Sequence, residues 1–208
     1  MDVCILMGSP RPKGNTATLL APFTEELHSL GSATRSFSLY GKNLLPCIAC
    51  RACQDIHDGF GCPLHDDMQE IFDAVLACDC FILASPIYSW FCTPPTKAVM
   101  DRMVYGMNKF YGECRSGSLW KGKSCAILTT CGYKPEKGVD LFEEGVKRYC
   151  KHSGLKFQGM LAVRDLGYKT EFSKPAKLRA ARDFARFLHA NVASGNTENP
   201  ISMTVLDE

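Results

Sequence analysis

Four thiols lie within 16 residues: Cys47, Cys50, Cys53 and Cys62. The first three stand two residues apart, in a C-x2-C-x2-C run. Loops that short let three thiolates converge on one face of a [4Fe–4S] cluster. Cys62, followed by Pro63, offers a fourth ligand after a gap of eight residues. A longer gap can still close, since doubling a loop costs only about 0.6 kcal/mol. The spacing leaves three outcomes open: a [4Fe–4S] cluster, a zinc ion held by four thiolates, or structural or redox-active thiols without metal. His57 and His65 flank this loop and either replace a ligand or are simply solvated.

A second group of residues suits a phosphorylated, planar ligand. Gly8-Ser9-Pro10-Arg11-Pro12-Lys13-Gly14-Asn15-Thr16 combines hydroxyls, an amide and a guanidinium with a helix start, a set that fits a phosphate dianion. It is neither a Walker loop nor a G-x-G-x-x-G dinucleotide loop. Ser85-Pro86-Ile87-Tyr88-Ser89-Trp90-Phe91 places aromatic and apolar groups beyond an apolar run. Stacking on a planar ligand explains them, and so does a hydrophobic plug or subunit contact. Thr130-Cys131-Gly132-Tyr133 offers small groups and backbone N–H for bonds to ring heteroatoms. Cys131 reads either as a redox thiol or as a small residue tolerated beside a ring.

These loops need a frame. Residues 3–7 are a short apolar run ended by Gly8, as in a strand buried on both faces. Leu19, Leu20, Phe23, Leu27 and Leu30 recur at helical spacing, closed by Gly31. Residues 35–39 predict a weak second strand. Asp66 can cap a helix with apolar positions Met68, Ile71, Phe72, Val75 and Leu76. Residues 80–84 predict a third strand, and Thr93-Pro94 starts a helix that runs to Tyr105. A fourth strand over 124–129, a helix over 135–150, a fifth strand over 157–163 and a helix over 174–190 complete the alternation.

Strands alternating with helices imply right-handed βαβ units. The expected fold is therefore α/β, a doubly wound five-stranded parallel sheet in three α/β/α layers. Ligands of such sheets bind at the carboxyl ends of the strands, where all three loops of the second group fall. One domain over 1–190 is expected, with a cysteine-rich loop over 43–65, a polar insertion over 106–122 and a polar tail over 191–208.

Composition excludes several classes. With 24 Lys+Arg against 22 Asp+Glu, the net charge of +2 gives no general attraction to nucleic acid or anionic membrane. At 46% hydrophobic and 22% charged residues the chain is globular. Residues 74–84, the best apolar stretch, are cut by Asp79 and fall short of the roughly 18 residues of a span. The N-terminal run lacks the basic flank of a secretory signal, so a cytoplasmic location is expected. In that reducing compartment, clustered thiols bind metal or react rather than pair. Of the twelve cysteines, Cys4, Cys80 and Cys125 sit in apolar runs and read as small buried hydrophobes.

Gly8-Ser9-Pro10-Arg11, Gly14-Asn15-Thr16, Asp66-Asp67-Met68, Ser85-Pro86-Ile87-Tyr88 and Lys97 with Asp101-Arg102 occur in order. Together they resemble the flavodoxin-like NAD(P)H-dependent FMN reductases, over roughly residues 1–190. The cysteine segment resembles the iron–sulfur flavoprotein branch, from which it departs in the length of its last gap. The resemblance implies that Ser9, Arg11, Asn15 and Thr16 hold the FMN phosphate. It implies that Pro86, Ile87, Tyr88 and Trp90 line the ribityl chain and ring, and that Thr130, Cys131 and Gly132 approach the pyrimidine side. Lys97 and Asp101-Arg102 are then structural.

The implied activity moves electrons from NAD(P)H or a ferredoxin-like protein donor to a small-molecule acceptor, in a homo-oligomer (dimer or tetramer). Two rival readings are a non-enzymatic flavodoxin-like electron carrier and a cysteine-based redox or metal sensor on the same fold. The net charge of +2 argues against the carrier, because electron-carrying flavodoxins are markedly acidic.

Overall fold

Five of the six side chains of β1 (Asp2–Met7) are buried, and they alternate between two cores. Cys4 and Leu6 enter one core, while Val3, Ile5 and Met7 enter the other. A strand that is apolar on both faces must be covered on both. The computed structural model describes residues 1–167, 171–195 and 200–206. It places β1 inside a sheet completed by β2 (Ala33–Ser38), β3 (Cys80–Pro86), β4 (Ser124–Cys131), β5 (Lys156–Arg164) and β6 (Ile201–Val205). The order is β2-β1-β3-β4-β5-β6, and every pairing is parallel.

Helices α1 (Asn15–Ser29) and α6 (Pro175–Ser194) cover one face, with Phe23 and Phe184 at 6.0 Å between ring centroids. Helices α2 (Met68–Ala77), α3 (Pro94–Met107) and α5 (Asp140–Ser153) cover the other through Phe72, Val99, Met103, Phe142 and Val146. The result is the three-layer α/β/α fold expected. From β1 the chain steps to β2 on one side and β3 on the other. That reversal opens a crevice at the carboxyl ends of β1 and β3.

Two elements differ from the sequence reading. The segment read as a polar tail supplies β6, so the sheet has six strands rather than five. Its pairing depends on Gly159, at φ 131°, where a Cβ would sit 2.0 Å from Ile201 O. The alternating Ile201, Met203 and Val205 are only half-buried, as suits an edge strand, and that signal is weak in sequence. The helix expected over 135–150 is broken at Val139 (φ −122°, ψ −8°) into α4 (Pro135–Gly138) and α5.

The 106–122 insertion, though polar, is anchored in the core. Buried Asn108 accepts hydrogen bonds from Trp120 Nε1 (2.9 Å) and Ser118 Oγ (2.8 Å), and Trp120 stacks on Phe81. No described helix is long and apolar enough to cross a membrane.

Candidate functional site

The loop from β1 to α1 turns tightly on its own side chains. Ser9 Oγ accepts from Arg11 N at 3.2 Å, and Gly14 N donates to Arg11 O at 3.0 Å. Gly14 stands immediately before α1, whose first N–H groups have no partner within the helix. Ser9 and Thr16 are buried, Asn15 is half-buried, and Arg11 is exposed. Arg11 pairs loosely with Asp165 at 3.9 Å.

Gly8 is dictated by packing rather than by backbone angle. A Cβ there would lie 1.9 Å from Thr96 Oγ1, so only glycine lets the loop touch the start of α3. Thr93 Oγ1 donates to Gly8 O at 2.7 Å and locks that contact.

The three expected loops meet. Thr16 Oγ1 and Thr130 Oγ1 share a buried hydrogen bond of 3.1 Å across 114 residues. Gly8 N donates to Ala84 O (2.7 Å), Ile87 N to Thr130 O (2.9 Å) and Asp165 N to Cys131 O (2.8 Å). The loops after β1, β3 and β4 thus form one shelf at the carboxyl edge of the sheet.

Beyond Pro86 and Ile87, the chain makes a tight hairpin in which Tyr88 and Phe91 exchange both backbone bonds. Its corner residues Ser89 (φ 49°) and Trp90 (φ 64°) are left-handed. Such backbone persists where the surroundings hold it, commonly at binding sites. Trp90 donates Nε1 to Lys137 O (3.1 Å), a carbonyl freed by the break after α4, and stacks on Tyr133 at 5.6 Å. Tyr88, Trp90 and Tyr133 remain exposed and form an aromatic rim beside the shelf. Gly132 is exposed beside it. Burial pushes the Cys131 thiol up to about 11, so it is neutral near pH 7.

The cysteine loop is built differently. It has one short 3-10 turn, Ala52–Asp55, and two left-handed residues other than glycine, Ala49 (φ 55°) and Arg51 (φ 63°). Cys47, Cys50, Cys53 and Cys62 line one cavity with Ile48, Leu64, Tyr105 and Arg102. Among the described residues, no three thiol, imidazole or carboxylate groups converge closely enough to hold a single metal ion. Thiolates around one zinc must all lie about 2.3 Å from it, whereas the ligands of a cluster are spread over several irons.

Side-chain bonds between the loop and the rest of the chain hold it in place. Lys109, fully buried, donates Nζ to Cys53 O (2.7 Å) and Phe60 O (3.4 Å), and burial lowers its pKa. Gln54 donates to Tyr105 O (2.6 Å) and Asn108 O (3.0 Å). Arg102 forms an ion pair with Asp66 in which the two side chains are 1% and 0% exposed. Burial works against both charges. The bonds between them, with those from Leu45 N and Met68 N, more than offset it and hold Asp66 below the usual carboxylate range.

Every expected flavin residue lies on the shelf, and the four cysteines share one cavity away from it. Asp165, Thr93, Lys109, Gln54 and the contact of Arg102 with the cysteine loop were not expected. Nothing in sequence marks a lysine or glutamine in a polar stretch as buried. Arg164, opposite Cys131 in the β4–β5 register, was also unexpected, and its buried Nε has no partner among the described residues. Size alone misleads here: a crevice of about 700 Å³ walled by Lys121, Lys123 and Lys156 lies at the opposite, amino ends of the strands.

The chain is similar to proteins already characterised. The family model described as NADPH-dependent FMN reductase matches residues 1–138. An iron-sulfur flavoprotein of Methanosarcina thermophila is 33% identical over 165 residues, covering 79% of this chain and 78% of that protein. One from Methanocaldococcus jannaschii is 38% identical over 102 residues, 49% of this chain, and the match spans about half (51%) of that relative. Among solved structures, an NAD(P)H:quinone oxidoreductase from Methanothermobacter marburgensis superposes with a TM-score of 0.69 at 23% identity, covering 91% of this chain and 97% of that one. A Bacillus anthracis FMN-dependent NADH-azoreductase in complex with FMN gives 0.64 at 16% identity, over 94% and 99%. At those identities the structural likeness speaks to the fold.

Proposed function

The chain belongs to the NADPH-dependent FMN reductase family, and from that premise we propose that it is an oxidoreductase with FMN bound across the carboxyl ends of β1, β3 and β4. The observation that carries this reading is the buried Thr16–Thr130 bond, which joins the phosphate-type loop to the third loop in one continuous shelf. Ser9, Arg11, Asn15 and Thr16 hold the phosphate there, with the first N–H groups of α1. Pro86, Ile87, Tyr88 and Trp90 line the ribityl chain and one side of the ring, and Thr130, Cys131 and Gly132 meet its pyrimidine edge. When bound, FMN would supply the hydride and single-electron chemistry.

The protein's own part is to position the ring and keep water from it. Arg11 is exposed and only loosely paired, so it can turn to a phosphate at little cost. Tyr88, Trp90 and Tyr133 form an apolar rim that a planar ligand or nicotinamide would cover. Electrons come from NAD(P)H or a ferredoxin-like protein donor and pass to a small-molecule acceptor, in a homo-oligomer of two or four subunits.

Cys47, Cys50, Cys53 and Cys62 hold a [4Fe–4S] cluster in this reading. Three observations support it: the ferredoxin-type spacing, the cavity that all four thiols line, and relatives described as iron-sulfur flavoproteins.

The test is the visible spectrum of protein purified without oxygen, followed by addition of NADH or NADPH. Flavin absorbance that bleaches promptly supports the reductase. Bound flavin that does not bleach points to a carrier or a ferredoxin-fed enzyme, and protein that binds no FMN overturns the proposal. Iron and sulfide analysis of the same sample decides the cluster.

A further inference from the structure

Arg102 is an unusual residue to find in the wall of a thiol-lined cavity. It sits on α3, is fully buried, and reaches three different segments. One terminal nitrogen donates to Asp66 and lies 3.4 Å from Leu45 O. The other, Nη2, donates to Cys62 Sγ at 3.2 Å. The guanidinium also stands 5.6 Å from the Phe60 ring, and its Nε has no hydrogen-bond partner among the described residues.

Stability alone does not explain this arrangement. A buried ion pair is often no better than an apolar pair of similar size, because desolvating two charges offsets their attraction. An orphaned Nε adds to that penalty. A cation kept in this place at such expense has a use where its free hand points, at the sulfur of Cys62. Lys109, the other buried cation of the loop, bonds carbonyl oxygens on the Cys53 side instead.

We propose that Arg102 is the positioning residue and counter-charge of the cysteine centre: its Nη2–H···Sγ bond holds the Cys62 sulfur in position as a ligand, its charge favours the reduced centre, and Asp66 sets how much of that charge is felt. The inference rests on the cluster reading above. A cluster ligated by thiolates gains one negative charge on reduction, with no bond made or broken. Net charge and hydrogen bonds to the sulfurs set where that happens. Removing the guanidinium therefore lowers the potential, and removing the Asp66 carboxylate raises it. A purely structural role predicts no such opposition of sign.

The experiment is a mediator titration of the anaerobically purified holoprotein, followed by cluster absorbance, with iron and sulfide measured on every sample. Arg102→Gln is expected to shift the one-electron equilibrium at least tenfold against reduction, about 59 mV. Asp66→Asn is expected to shift it the other way, and Arg102→Lys, which keeps the charge, to recover most of the loss. Should Arg102→Gln not accumulate, the paired variant Arg102→Gln with Asp66→Asn leaves no lone buried charge. It should still fall below wild type, because the guanidinium touches the sulfur and the carboxylate does not.

Loaded variants with unmoved potentials, or two single variants that move the same way, overturn the role of Arg102 and leave the cluster standing. Wild-type protein without iron and sulfide overturns both.

Discussion

The shelf of strand ends and the cysteine loop are held in place by different means. The shelf is made where strands end. Its framework is backbone hydrogen bonds between neighbouring strand ends, as from Gly8 to Ala84 and from Ile87 to Thr130. The cysteine loop has no sheet to lean on, and bonds distant in sequence position it: those from Arg102 on α3 and Lys109 in the insertion, and those from the loop's own Gln54 to Tyr105 and Asn108. A site made by strand ends should tolerate loss of most side chains and fail where the backbone is crowded. One held by a few buried pins should fail when a pin is removed.

Arg102→Ala is the strongest test of that contrast. It leaves Asp66 buried without its partner, a change that typically costs about 3–5 kcal/mol. Urea unfolding should show the loss, and a loss below about 1 kcal/mol would mean that the loop does not depend on this pin.

Gly8→Ala strikes the shelf at its crowded point. Overpacking of this kind costs about 1–3 kcal/mol, and FMN affinity, read by fluorescence quenching, should fall with it as the loop is pushed off α3. An unchanged affinity would show that the contact with Thr96 is dispensable.

Arg11→Ala separates binding from folding. An exposed side chain should leave stability within about 0.5 kcal/mol. A charged bond to phosphate is worth about 1.5–3 kcal/mol, so FMN should bind at least tenfold more weakly by titration.

The mildest expectation concerns thiols, one from each region. Burial holds Cys131 protonated to about pH 11, and the thiolate is the reactive form. Its alkylation by iodoacetamide, followed by peptide mass, should be slow at pH 8 and rise towards pH 11. Cys50 is exposed on the other loop and, like the exposed Cys114, should be labelled before the buried thiols in protein without metal. Rapid labelling of Cys131 at pH 8 would restore the case for a redox thiol beside the ring.

The shelf was the more legible region because its signals are local. An apolar run ended by Gly8, or aromatic residues after Ser85-Pro86, can be read within ten residues. The spacing of Cys47, Cys50 and Cys53 is local too, and so was visible. Its supports were not. Lys109 looks like any solvated lysine in a polar insertion, and Arg102 like one half of an exposed charge pair with Asp101. The structure pairs Asp101 with Lys97 and turns Arg102 inward to Asp66 and Cys62. β6 was missed for a related reason. Its five residues carry a weak alternation, and its pairing depends on the glycine at 159, 42 positions before Ile201.

By itself the sequence determined the parallel α/β order, the edge of the sheet at which the three loops meet, and the close spacing of four cysteines. Hydrophobic period and turn chemistry are short-range properties, and they suffice for that. Tertiary structure alone decided which polar groups lose their water. Whether Arg102, Lys109 and Asp66 are buried depends on what packs over them from elsewhere in the chain, and burial turns an ordinary charge into one that can hold a loop in place.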